Sequence, residues 1–209
     1  MRADDYLRKV QTKKEKIKRI DLPQLLLDEE LKRFDRYNRV VFVNYYYNEW
    51  DSLEETLTLA KNEKEIFLTY NKAVEHGEEG AEAGNINESR KKTISADPEN
   101  LQLFRLLCKE TYNVAHYVYA DETGYDFRCY AKLFQGGVEI RTDVISPLMT
   151  AIMLRFTDVP DAFISDAEEN YESLPKRDHP NVIYEKADSD GRKEKTNDLS
   201  KKGHNGLPF

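Results

Sequence analysis

The chain holds only two cysteines, Cys108 and Cys129, among 209 residues. Two thiols make no disulfide framework and fall short of the four ligands of a structural zinc site, so a reducing, cytoplasmic setting is the default. Histidine is almost as scarce: His76, His116, His179 and His204 are the only four, and no pair has the spacing of a metal site. His116 stands eight positions from Cys108 on one expected helix, roughly 12 Å along its axis, too far for a nucleophile–base pair. No run of about 18 apolar residues occurs, and the polar, basic N-terminus lacks the apolar stretch of a signal peptide, which predicts no membrane partner. The glycines of "HGEEGAEAG" make no phosphate loop. No strand is expected before them, no Lys-Ser/Thr follows, and Glu75, Glu78, Glu79, Glu82 and Glu88 would repel phosphate. No cofactor and no metal is expected.

Charge is abundant, at 34% of residues, and uneven. Residues 1–20 carry eight basic and three acidic side chains, a balance of +5, and residues 186–209 carry six and four, a balance of +2. With a net charge of −7, the body between them is left at −14. An acidic body with a basic arm is a poor general nucleic-acid binder but suits docking between unlike protein surfaces.

The pattern predicts a mainly α protein with one β-hairpin, an α+β antiparallel helical bundle with a basic N-terminal helix and an extended C-terminal tail. Residues 1–20 form the arm, with Lys13, Lys14, Lys16, Lys18 and Arg19 as its cations and a thin stripe of Tyr6, Val10, Ile17 and Ile20. Residues 21–76 are expected as a helical hairpin. "VVFVNYYY" (40–47) reads as strand by propensity, yet no glycine or proline interrupts the chain between Pro23 and Gly77, and helical spacing aligns Leu27, Leu31, Phe34, Val41, Phe42 and Tyr45. On that helix Val40, Val43 and Tyr47 form a second apolar stripe on the opposite face. Ser52 and Glu55 have the spacing of a capping box for the next helix, with Trp50 as its staple.

Residues 77–94 read as an acidic, glycine-rich loop. Residues 95–174 complete the body. Asp97 caps a helix with Pro98 in its first turn, and Leu101, Phe104, Cys108, Tyr112, Ala115 and Tyr119 line its apolar side. From about 125 to 144 the period drops to two, a hairpin turning at "QGG". Setting Leu133 opposite Val138 would place Lys132 opposite Glu139 and Tyr130 opposite Arg141, whereas the shifted register opposes Lys132 and Arg141. Ser146 and Pro147 open a buried helix, and a short helix follows over "DAFISDAEENYESL". Residues 175–209 have the composition of an extended polar tail, with Leu199, Leu207 and Phe209 as apolar anchors.

No catalytic constellation stands out. Asp121 and Glu122 sit at a turn, where acids are routine, and an enzyme reading would draw on Tyr112, His116 and Asp121. Between Val40 and Asp51 there is no Lys or Arg, so Tyr45, Tyr46, Tyr47 and Trp50 read as packing or protein-contact residues rather than a base-stacking platform. The leading expectation is therefore a non-enzymatic structural subunit, a homo-oligomer or one component among other subunits. Its layout is comparable to a ring or adaptor component of a phage head–tail particle, which would place it in the host cytoplasm and then in the particle. The interface candidates are Val40, Val43, Tyr46, Tyr47, Trp50, Leu199, Leu207 and Phe209. The alternative is a small regulator that binds nucleic acid, or a nucleic-acid enzyme, through the basic helix.

Overall fold

Arg39–Tyr47 form not a helix but the central strand, β1, of a large antiparallel sheet. A computed structural model describes residues 3–47, 51–76, 85–119, 128–187 and 193–197. The remaining strands are β2 (Asp51–Lys61), β3 (Glu65–His76), β4 (Ile86–Ser95), β5 (Arg128–Gln135), β6 (Val138–Thr142), β7 (Asn181–Ala187) and β8 (Lys193–Asn197). They pair in the order β4-β3-β2-β1-β5-β6-β7-β8. The fold is thus a sheet-rich α+β fold, and the expected antiparallel helical bundle is overturned.

Two physical reasons account for the error. The β-branched and aromatic side chains of "RVVFVNYYY" lose rotamer freedom in a helix and fit a pleated surface. Nor does a turn require glycine or proline. At the β2–β3 turn the Asn62 Oδ1 accepts from the backbone N–H groups of Lys64 and Glu65, each at 2.8 Å, and so reverses the chain with a side chain. The period-two set Leu53, Glu55, Leu57 and Leu59 then faces one side of β2. Between the arm and β1 only a four-residue helix, α2 (Leu22–Leu25), and a 3-10 helix (Glu29–Arg36) form. Residues 86–94 of the expected loop are strand: β4 pairs with β3 from Val74↔Ile86 to Glu65↔Ser95. Its polar composition reflects a place at the sheet's edge.

The helices with strong local start signals form as predicted. In α3 (Pro98–Val114) the Asp97 side chain accepts from the Asn100 N–H at 2.9 Å. In α4 (Pro147–Phe156) Ser146 Oγ accepts from the Met149 N–H at 3.2 Å. The N-terminal helix α1 (Ala3–Lys18) buries Val10 and Ile17 against α4 and a short α5 (Asp161–Asp166). The chain after α3 leaves the helix early: Tyr117 bridges to Lys176, and the Val118 N–H bonds the Pro175 carbonyl at 3.0 Å.

The hairpin β5–β6 is present with the other register. Gln135 pairs with Val138 around Gly136-Gly137, and Lys132 faces Arg141. Gly136 takes φ +57, the conformation that a tight two-residue hairpin turn asks of its first central residue. Turn geometry outweighs the charge pairing that favoured the alternative. Of the segment expected as an extended tail, β7 and β8 extend the sheet beyond β6, because the edge of β6 offers unsatisfied backbone groups to whichever strand reaches it.

Candidate functional site

The pairing of β1 with β2 and β5 assigns every side chain to one of two faces. Val40, Phe42, Asn44 and Tyr46 share a face with Leu57, Leu59, Ile66, Leu68, Ala131, Leu133 and Ile140. This is the helix-covered face, whose apolar members join the core with residues of α1, α3, α4 and α5. The Phe42 ring meets Phe163 of α5 edge-on, centroids 5.7 Å apart. Val40 is therefore core, fully buried, and the expectation that it faces a partner fails, because pleating and not helical spacing decides its direction. Tyr46 lies on the same side, half-buried.

The other face of β1 presents Arg39, Val41, Val43, Tyr45 and Tyr47. Val43 and, on β7, Ile183 are buried on it yet belong to no part of the helix-side core. Tyr45 is 40% and Tyr47 66% exposed. Cations of β1, β5 and β6 lie among the aromatic rings of this face. The Arg39 guanidinium lies 3.9 Å over the ring of Phe134, and Arg141 lies 4.0 Å over Tyr130. Lys132 reaches Glu139 at 3.3 Å, with Glu139 buried. Sequence reading found no cation between Val40 and Asp51. Arg141 and Lys132 arrive from strands about ninety residues downstream, so only strand pairing brings them here.

The basic arm is seated rather than free. Lys13 Nζ donates to the Ser165 carbonyl at 2.9 Å, and Lys14 approaches Asp158 at 3.9 Å. Lys18 pairs with Glu15 at 3.4 Å, while Lys16 and Arg19 are exposed. Trp50, Leu199, Leu207 and Phe209 lie outside the described residues, as do Asp121 and Glu122. Of the enzyme-type group, Tyr112 and His116 touch ring to ring at 5.8 Å, and His116 Nδ1 lies 3.3 Å from the Arg177 carbonyl, a structural arrangement. Burial pushes the thiols of both Cys108 and Cys129 up, away from the reactive thiolate.

Two buried polar groups escaped sequence reading. On the helix-covered face Glu55, 6% exposed, accepts from Tyr70 Oη at 2.6 Å and from Asn44 Nδ2 at 3.2 Å. Between α3 and α4, Glu110 accepts from Ser146 Oγ at 2.6 Å and from Tyr171 Oη at 3.2 Å. Burial pushes the Glu110 carboxyl up, against the two donated hydrogen bonds that favour its charged form. A signal for each was present. Glu55 falls on the parity of Leu53, Leu57 and Leu59, and Glu110 follows Leu103, Leu106 and Leu107 at helical spacing.

Among the described residues no helix is long and apolar enough to cross a membrane, and no cluster of His, Cys, Asp or Glu has the makings of a metal site. Comparison with protein-family models, with curated proteins and with solved structures finds no match, so the geometry alone carries the functional argument.

Proposed function

We propose that this chain is a non-enzymatic assembly subunit that binds protein, in the first instance a second copy of itself, through the helix-free face of its sheet. One observation carries the reading: β1 is apolar on both faces, while among the described residues the helices cover only one. An antiparallel sheet with a solvated face alternates apolar and polar residues, and "VVFVNYYY" does not. Tyrosine offers large apolar area with a polar tip and little entropy to lose, which suits contact surfaces. The face also carries both signs of charge, Arg39 and Arg141 beside Glu54 and Asp143, as a self-complementary contact requires. The comparison with a phage ring or adaptor drew on a helical layout and adds nothing to this fold; the assembly role does not depend on it.

The reading where α1 engages nucleic acid draws on the exposed Lys16, Lys18 and Arg19. Light scattering on the gel-filtered full chain, with the 260/280 absorbance ratio, separates the two. A multiple of the 24.5 kDa chain mass, reduced to a monomer by Tyr45→Ser with Tyr47→Ser, supports the assembly reading. A monomer at every concentration overturns self-association, and a nucleic-acid absorbance ratio that falls when Lys16 and Lys18 are neutralised favours the arm.

A further inference from the structure

A second surface, independent of the helix-free face, lies at the end of the sheet. β4 closes the strand order, so among the described residues no strand pairs with its outer edge over ten residues. Its middle is Arg90-Lys91-Lys92, all exposed. On the helix side, a cleft of about 560 Å³ runs between β4 and the segment 157–161. Leu57, Leu68 and Tyr70 give it an apolar floor.

Alternation along β4 puts Arg90 and Lys92 on the cleft side with Tyr70 and Leu68, and Lys91 on the other. Lys14 of α1 joins them from the opposite wall. Several of these cations are held in place. Arg90 pairs with Glu88 and lies 5.7 Å over the Tyr70 ring, and Lys92 Nζ donates to the Phe156 carbonyl at 3.2 Å, leaving further ammonium donors. Two carboxylates, Asp158 and Asp161, also line the cleft, and Asp158 partly occupies Lys14.

An unpaired edge of this length is a template for another strand; basic residues on it discourage pairing in general, and a strand of opposite sign lifts that penalty. A second copy of β4 added antiparallel about a two-fold axis would set the Arg-Lys-Lys run against itself, and like charges directly opposite are destabilising. A strand of opposite sign neutralises that run where a second copy only sets it against itself, so the edge favours an acidic strand over its own copy. We infer that β4 is the docking edge for an extended acidic peptide segment of a partner protein. It adds as a further strand, with backbone hydrogen bonds along β4 and alternate acidic side chains reaching Arg90, Lys92 and Lys14 in the cleft. This is strand addition, in which main-chain bonds give affinity and the flanking cleft gives specificity.

The test is fluorescence anisotropy on the full-length chain with a labelled ten-residue peptide of alternating Glu and Thr. Two further peptides are N-methylated on one or the other alternate set of amides, a fourth carries Lys for Glu, and a fifth probe is oligo-dT of the same length. Strand addition predicts that the acidic peptide binds. One methylated peptide loses about tenfold or more and the other binds like the parent, because only one set of amides faces β4. The Lys peptide does not bind. Arg90→Glu with Lys92→Glu weakens the acidic peptide about tenfold, and Asp158→Asn tightens it. Absence of binding by the acidic peptide, equal binding by both methylated peptides and the parent, or tighter binding of oligo-dT than of the peptide would each overturn the inference. The exposed positions of Arg90, Lys92 and Asp158 keep the variants folded, which an unchanged melting curve verifies.

Discussion

Lys132 and Arg141 face each other directly across the β5–β6 hairpin, two like charges in register. Each is compensated: Lys132 by diagonal Glu139 at 3.3 Å, and Arg141 by the diagonal Tyr130 ring at 4.0 Å and by Asp143, two residues along its own chain, at 3.5 Å. The contacts that argued for the alternative register are thus made without it. Diagonal neighbours in a twisted antiparallel pair lie within reach of long side chains, so direct opposition is a weak guide to register when the side chains are Lys and Arg.

The turn that sets this register is open to test. Gly136 has φ +57 and nothing within 4 Å of a β-carbon added there, so its substitution meets a backbone cost alone. Gly136→Ala is expected to lose about 1–2 kcal/mol in urea denaturation. Gly137 has the same open space and no positive φ, so Gly137→Ala should be neutral or stabilise by up to about 1 kcal/mol. Equal effects at both positions would contradict the turn.

The two faces of β1 should respond oppositely. Val40→Ala opens a cavity in the helix-side core and is expected to cost about 2 kcal/mol. Tyr47→Ser, at a residue 66% exposed, should stay within about 0.5 kcal/mol of the parent while reducing self-association in sedimentation. A large loss of stability at Tyr47 would make it a packing residue.

Asp35 ties three elements together. It receives Arg105 Nε at 2.6 Å and Nη2 at 2.8 Å from α3, and Lys61 Nζ at 3.2 Å from β2. The Arg105 guanidinium, then Lys61, hold its carboxyl below the ordinary 3.8. A depressed carboxyl contributes stability above its unfolded value and loses it as pH falls through the folded one. Asp35→Asn is expected to cost about 1 kcal/mol at neutral pH, since the group is partly exposed, and the difference should shrink as pH drops below 3.8. A difference that persists unchanged in acid would contradict this.

Glu110 should behave with the opposite sign. Burial raises its pKa above 4.5, so the folded state binds the proton more tightly and this group's contribution declines as pH rises from 4.5 through the folded value. Glu110→Gln can still accept from Ser146 and Tyr171 and carries no charge. In denaturant titrations the stability of the wild type relative to this variant should fall with rising pH. A rise would mean that the two hydrogen bonds outweigh desolvation.

What the sequence determined by itself was whatever is written within a few residues. Asp97-Pro98 and Ser146-Pro147 start helices wherever they stand, because a cap satisfies its own helix's first N–H groups. The stripe of Val10 and Ile17 likewise marked α1 as a helix with one apolar side, and the change to period two after α3 marked a hairpin. Tertiary structure decided the rest. "VVFVNYYY" satisfies both the strand preference and a helical stripe, and its backbone bonds as a strand only with partners such as Ala131, eighty-nine positions beyond Phe42. The same distance hid the proposed contact surface. Tyr45 and Tyr47 were visible as aromatics, but Arg39 over Phe134 and Arg141 over Tyr130 exist only once β5 and β6 pair beside β1. A strand's hydrogen bonds lie outside itself, and so does the meaning of its residues; a helix carries both within its own turns.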